Sequence, residues 1–178
     1  RTGEASAAQL RLTDESIVAL RAKSEFAIAD YRFTGQDDGS SAVFLNLVRG
    51  GLRTLTGLIG KVHRGSYRLA SPVATIGIRG TGYTLVACQQ DCFDADGSLA
   101  PDGTYGVVFE GRVGVANEGG ERDFGIDEAF YVADIRTPAQ PLVGRPAFLR
   151  DRLEARARRQ EQRREAETAV RIEVAVPA

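Results

Sequence analysis

The sequence has no Met and no Trp, and it carries one His and two Cys in 178 residues. With His63 alone, a zinc site would have to recruit both cysteines and carboxylates. No G-x-S-x-G element is present to seat a nucleophile triad. No apolar run approaches the roughly 18 residues that a membrane span requires. An excess of one charge is missing too: 23 Lys and Arg stand against 24 Asp and Glu, a net of −1. That balance excludes nucleic-acid binding driven by charge alone. Apolar residues at 43% and charged residues at 26% exclude wholesale disorder. Without Met and with Arg1 first, the chain reads as a processed protein or excised fragment from which any signal peptide has gone.

What is present divides in two. Residues 1–140 read as a β-domain, whose N-terminal part is expected to be truncated, and residues 145–178 as a charged helix followed by a terminal strand. Glycine, 20 in all, is absent beyond Arg145, and the segment 145–178 holds nine Arg against six Asp and Glu. In the first part, short alternating runs recur between turn signals. Ile17 to Leu20, Phe26 and Ile28, Val43 to Leu47, Tyr67 and Leu69, Thr84 to Val86, Tyr105 to Phe109, Val113 with Val115, and Phe130 to Ala133 all read as strands. Gly35 to Ser40, Gly50-Gly51 and Asn117 to Gly120 read as breaks. Leu52 to Ile59 reads as a short helical or irregular stretch. The fold class predicted is all-β, a twisted sandwich of short strands or a short solenoid-like roll, with a C-terminal α-helical appendage.

Pro146 is placed where a first helical turn tolerates it, and Phe148, Leu149 and Leu153 follow at helical spacing. The spacing predicts a helix from about Pro146 to Thr168. Its residues from Glu154 to Glu167 are nearly all Arg, Glu, Gln and Ala, which gives a solvated face or a partner-binding arm. Val170, Ile172, Val174 and Val176 alternate with polar neighbours as a half-buried strand, which must pair with its own sheet edge or with another chain. Phe148, Leu149, Leu153, Val170, Ile172 and Val174 are the candidate residues of this arm.

Three clusters could carry chemistry. Cys88 and Cys92, in CQQDC, permit a small disulfide loop if the chain turns between them. They could instead be two metal ligands, or reduced thiols in a cytosol; the disulfide is expected if the compartment is oxidising. Asp94, Asp96 and Asp102 are weak calcium candidates, but the EF-hand register fails, and a polar hairpin loop is expected. Gly77 to Gly82, GIRGTG, lacks the Lys-Ser/Thr of a phosphate loop and leads into a strand rather than a helix. Arg79 within it is expected to be structural, its guanidinium bonding carbonyls or a carboxylate of its own domain.

The run Ser71-Pro72-Val73-Ala74-Thr75-Ile76-Gly77-Ile78-Arg79-Gly80-Thr81 resembles the core motif of the FecR-like domain family, in which Pro72, Ala74, Gly77, Arg79, Gly80 and Thr81 match. Three flanking stretches are also similar to the family's elements. These are Leu10 to Ser16, where Glu15 stands in place of the usual Gly of an Asp-Gly-Ser step, Val48 to Arg53, and Val108 to Val115. The resemblance spans about residues 5–135. It implies an all-β extracytoplasmic domain, periplasmic or at the cell surface of a bacterium, and brings no catalytic residues.

The reading reached is a non-catalytic extracytoplasmic interaction or scaffold module, not an enzyme, with no cofactor. Its partner would be another protein, or a second copy through the C-terminal arm, with no nucleic acid and no membrane span in this chain. The alternative is the periplasmic sensing part of a transmembrane sigma-factor regulator. A carbohydrate-active or hydrolytic β-domain ranks last.

Overall fold

A computed structural model describes residues 1–35, 40–62, 64–78 and 80–150. Arg79, His63, Leu153, Val170, Ile172 and Val174 lie outside these described residues, as does the expected helix beyond Arg150. Among the described residues the chain forms twelve strands: β1 (Ala8–Arg11), β2 (Ile17–Leu20), β3 (Glu25–Arg32), β4 (Ala42–Leu55), β5 (Tyr67–Ala70), β6 (Thr75–Ile78), β7 (Gly82–Cys88), β8 (Gly103–Glu110), β9 (Val113–Asn117), β10 (Gly120–Phe124), β11 (Ala129–Val132) and β12 (Gln140–Leu142). A five-residue helix α1 (Leu58–Val62) and a 3-10 turn (Arg64–Ser66) link β4 to β5.

The strands form one continuous sheet, curled so that its halves face each other across the core. The 14-residue strand β4 belongs to both halves. Its first part lies between β3 and β5, and its second part between β2 and β7. From β4 one half continues through β5, β6, β9 and β10, the other through β7, β8, β11 and β12. Every pairing is antiparallel except β4 with β5, whose connection carries α1.

The turn over from one half to the other occurs at Gly50-Gly51. Gly50 has φ +77, and a Cβ there would lie 2.6 Å from the Cα of Ser24. By composition this pair marks the end of a strand. Instead the strand runs on through it to Leu55, and the helix occupies only Leu58–Val62. Ser24 fastens the bend, its Oγ donating to Gly51 O and accepting from Gly51 N at 2.9 Å each.

Alternation decides what is buried. Val43, Leu45 and Leu47 from β4, Leu69, Ile76 and Ile78 from β5 and β6, and Val113 and Val115 from β9 meet Leu85, Val108, Phe130 and Val132 from the opposite half. Strand β7 is buried along its whole length. Tyr83, Leu85 and Ala87 face this main core, while Val86 and Cys88 belong to a second cluster with Cys92, Tyr105, Val107, Ala129 and Leu149. Removing this much apolar surface from water is the main stabilising effect.

Sheet margins are protected. Strand β12 pairs with β11 alone, and Pro141 opposite Phe130 suits an edge. Strand β3 breaks register between Ile28 and Asp30, which bends that edge away from further pairing.

Candidate functional site

The outer face of the β5-β6-β9-β10 half carries an open trough. Register builds it. Phe44, Arg68, Gly77, Gly114 and Asp123 lie side by side in one row across five strands, and Asn46, Ala70, Thr75, Ala116 and Glu121 in the next. Small residues in the middle of each row leave a flat floor of exposed backbone. The cavity holds about 630 Å³ and is also bordered by Gly65, Tyr67 and Ile78. Its two walls differ in charge. Arg68 rises on one side, its guanidinium 5.9 Å from the ring centre of Phe44. Glu121 and Asp123 rise on the other, and Arg112 reaches Asp123 at 3.7 Å. The sequence reading did not single out Arg68, Gly114, Glu121 or Asp123. For Arg68, Gly114 and Asp123 the signal was alternation, since each is the neighbour of a buried residue, but Glu121 has exposed neighbours, and only the register between strands brings the four together.

The residues of the motif are divided between this face and the core. Ser71 N donates to Ala74 O at 2.8 Å, and Ser71 Oγ donates to the same oxygen at 3.0 Å, closing a turn that contains Pro72 between β5 and β6. Ala74 is buried, Gly77 lies on the trough floor, and Thr81 is buried with its N–H donating to Thr56 Oγ1 at 3.0 Å. Gly80 meets the second matched element. Gly111 has φ +70, and a Cβ there would overlap the carbonyl oxygen of Gly80. Gly80 of GIRGTG and Gly111 of FEGRV therefore form one close backbone crossing.

The third matched element is also explained. Asp14 is fully buried, its Oδ1 accepting from Ser16 N at 3.1 Å and its Oδ2 from Ser16 Oγ at 2.8 Å. Ser16 Oγ in turn accepts from Gly57 N at 2.8 Å. Glu15, between them, is held at φ +70. This set closes a turn and ties it to the end of β4.

A second region lies on the outer face of the other half. Cys88 and Cys92 are joined, with an S–S distance of 2.02 Å and a Cα separation of 5.5 Å. Beyond them a small hairpin is closed by Ala100 N donating to Cys92 O and Asp94 N to Ser98 O, both 2.9 Å. The three aspartates do not converge. Asp94 Oδ1 accepts from Ala95 N and Ala147 N, Asp96 Oδ1 from Ser98 N and Oγ, and Asp102 Oδ1 from Gln90 N. The bonds from Ser98 hold the Asp96 carboxyl below the usual carboxylate range. Among the described residues no three His, Cys, Asp or Glu come together as a metal set.

Phe148 and Leu149 pack against this region. A 3-10 turn, Ala147–Leu149, sets the Phe148 ring edge-on to Tyr105 at 5.0 Å and buries Leu149. The guanidinium of Arg21 donates to Phe148 O and, at 3.4 Å, to Leu149 O. The turn ends at Arg150, whose φ of −70 and ψ of 130 are extended. The rest of the helix expected from about Pro146 to Thr168 lies outside the described residues.

The family model described as FecR protein matches residues 1–114. Two solved structures of a candidate anti-sigma factor from Parabacteroides distasonis ATCC 8503 share the fold. One has a TM-score of 0.59 at 15% identity and the other 0.57 at 14%; in each, 79% of this chain is covered. The chain spans 57% of the length of those structures. Comparison with curated proteins gives no match.

Proposed function

The chain belongs to the FecR protein family, and from that premise we infer that it is a non-catalytic regulatory module acting outside the cytoplasm by binding another protein. The family match carries the regulatory part of this reading. The closed Cys88–Cys92 disulfide supports an oxidising compartment, because such bonds persist in the periplasm and at cell surfaces. The trough supports a protein partner: a face four strands wide, open and backbone-floored, suits a polypeptide segment better than a small ligand held in an enclosed cleft. The C-terminal arm supplies a second contact, through residues 170–176 and a sheet edge of another molecule.

The test is capture of the partner by cross-linking the exported full chain, repeated with Gly77→Tyr. Gly77 has room for a side chain, since a Cβ there would meet nothing nearer than 3.9 Å. The variant should stay folded and lose the partner. Unchanged capture would remove the trough from the reading, and two free thiols in the exported protein would remove the compartment. Deleting residues 169–178 should weaken self-association while the β-body keeps its melting temperature. A truncated chain that unfolds would instead make that segment part of the domain.

A second reading places the same module as the sensing part of a transmembrane sigma-factor regulator. The fold shared with the candidate anti-sigma factor favours it.

A further inference from the structure

We propose that the disulfide-closed hairpin, residues 89–103, is a docking surface for the chain's own arginine-rich segment, residues 151–164. This goes beyond the binding of an outside partner and does not depend on it.

Three observations meet at the hairpin. First, it presents apolar surface in a fixed shape. Phe93 and Leu99 face each other across a β-bridge and are 57% and 50% exposed. The disulfide, the Asp94–Ser98 and Ala100–Cys92 backbone bonds, and Gln90 N on Asp102 at 2.7 Å hold the loop before anything binds. A surface already ordered loses little entropy on docking.

Second, the charges are complementary. Residues 89–103 contain Asp91, Asp94, Asp96 and Asp102 and no Lys or Arg. Residues 151–164 contain six Arg against Asp151, Glu154 and Glu161. The Asp96 carboxylate is exposed, and its bonds from Ser98 favour its ionised form.

Third, the described chain ends beside this loop. Ala147 N donates to Asp94 Oδ1 at 2.8 Å, and Leu149 is buried in the same cluster as Cys88 and Cys92. Leu153 follows Arg150 by three residues, a reach of about 10 Å. Tethering at that distance makes the docking intramolecular and raises its effective concentration into the millimolar range or above, roughly. On this proposal the first arginines dock against the aspartates and Leu153 against the Phe93–Leu99 pair.

The experiment uses the full chain with Phe93→p-benzoylphenylalanine, an exposed position whose change leaves the core intact. Irradiation should join position 93 to residues 151–158 within a single molecule. Arg152→Glu with Arg156→Glu and Arg158→Glu should lower that yield about tenfold, and raising salt from about 0.05 M to about 0.5 M should lower it several-fold, as screening of exposed charges requires. Cross-links only between molecules would overturn the assignment to the same chain. Cross-links elsewhere, none at all, or a yield indifferent to both charge reversal and salt would overturn the docking surface itself.

Discussion

The hydroxyls of Tyr67 and Tyr83 meet at 3.0 Å inside the core, one from each half of the curled sheet. Both side chains are fully buried, so each phenol depends on the other for a partner it cannot find in water. Tyr83→Phe should cost about 1–3 kcal/mol, because it strands the buried hydroxyl of Tyr67. Adding Tyr67→Phe should cost less than it does alone. Urea unfolding of the two single variants and the double variant measures this coupling. Additive losses within about 0.5 kcal/mol would mean that the pair does not act as a unit.

The same pair sets a pH limit. Burial pushes Tyr67 up to about 12 and Tyr83 well above its ordinary value. In the unfolded chain both titrate near 10, roughly. Below that point neither state gives up the proton and the contribution is intact. Above it the unfolded chain releases protons that the fold retains, so stability falls as pH rises from about 10 toward about 12. Melting temperatures across that interval should decline in the native protein and decline less in the double Phe variant.

Gly50 and Gly77 both lie within strands, yet their alanine variants should differ. A Cβ at Gly50 would meet the Ser24 backbone while the residue sits at φ +77. Gly50→Ala should therefore cost about 3 kcal/mol or more. Gly77→Ala enters open space on the trough floor and should change stability by less than about 1 kcal/mol. Thermal unfolding of the two variants side by side checks this, and equal losses would show that the bend at Gly50 is relaxed in solution.

Glu15 holds φ +70 between Asp14 and Ser16, a conformation that costs a residue with a Cβ about 1 kcal/mol. Glycine adopts it freely, which explains the residue usual at this step in FecR-like sequences. Glu15→Gly should raise stability by up to about 1 kcal/mol, the relief of strain exceeding the extra entropy of the unfolded chain. A lowered denaturation midpoint would show that entropy dominates.

Period-two alternation made the strands around Val43, Tyr105 and Val113 legible in the sequence, and the CQQDC spacing made the disulfide so. Two things were not. Strand β4 crosses Gly50-Gly51, a pair that reads locally as a break, because contacts with Ser24 and β7 hold the bend within the strand. Strand β10, Gly120–Phe124, is mostly polar and buries only Phe124, so it has little apolar pattern to show. The trough was invisible for a related reason. Gly77 and Gly114 are 37 positions apart, and only the pairing of β6 with β9 makes them neighbours.

The disulfide should matter for the segment it underlies as much as for stability. Cys88 and Cys92 are four residues apart, so the loop they close is small and its contribution should be about 2 kcal/mol. Their sulfurs are buried in the cluster that receives Leu149, next to the Asp94 bond to Ala147. Cys88→Ala with Cys92→Ala should thus loosen the hairpin and the 146–150 turn together, while the main core stays closed. Trypsin should cut after Arg150 at least several-fold faster in that variant under native conditions, since cleavage follows the population of locally opened chain. Faster cutting throughout the β-body would mean that the bond supports the whole fold. An unchanged rate at that site would mean that Arg21 and the Tyr105–Phe148 contact hold the turn without it.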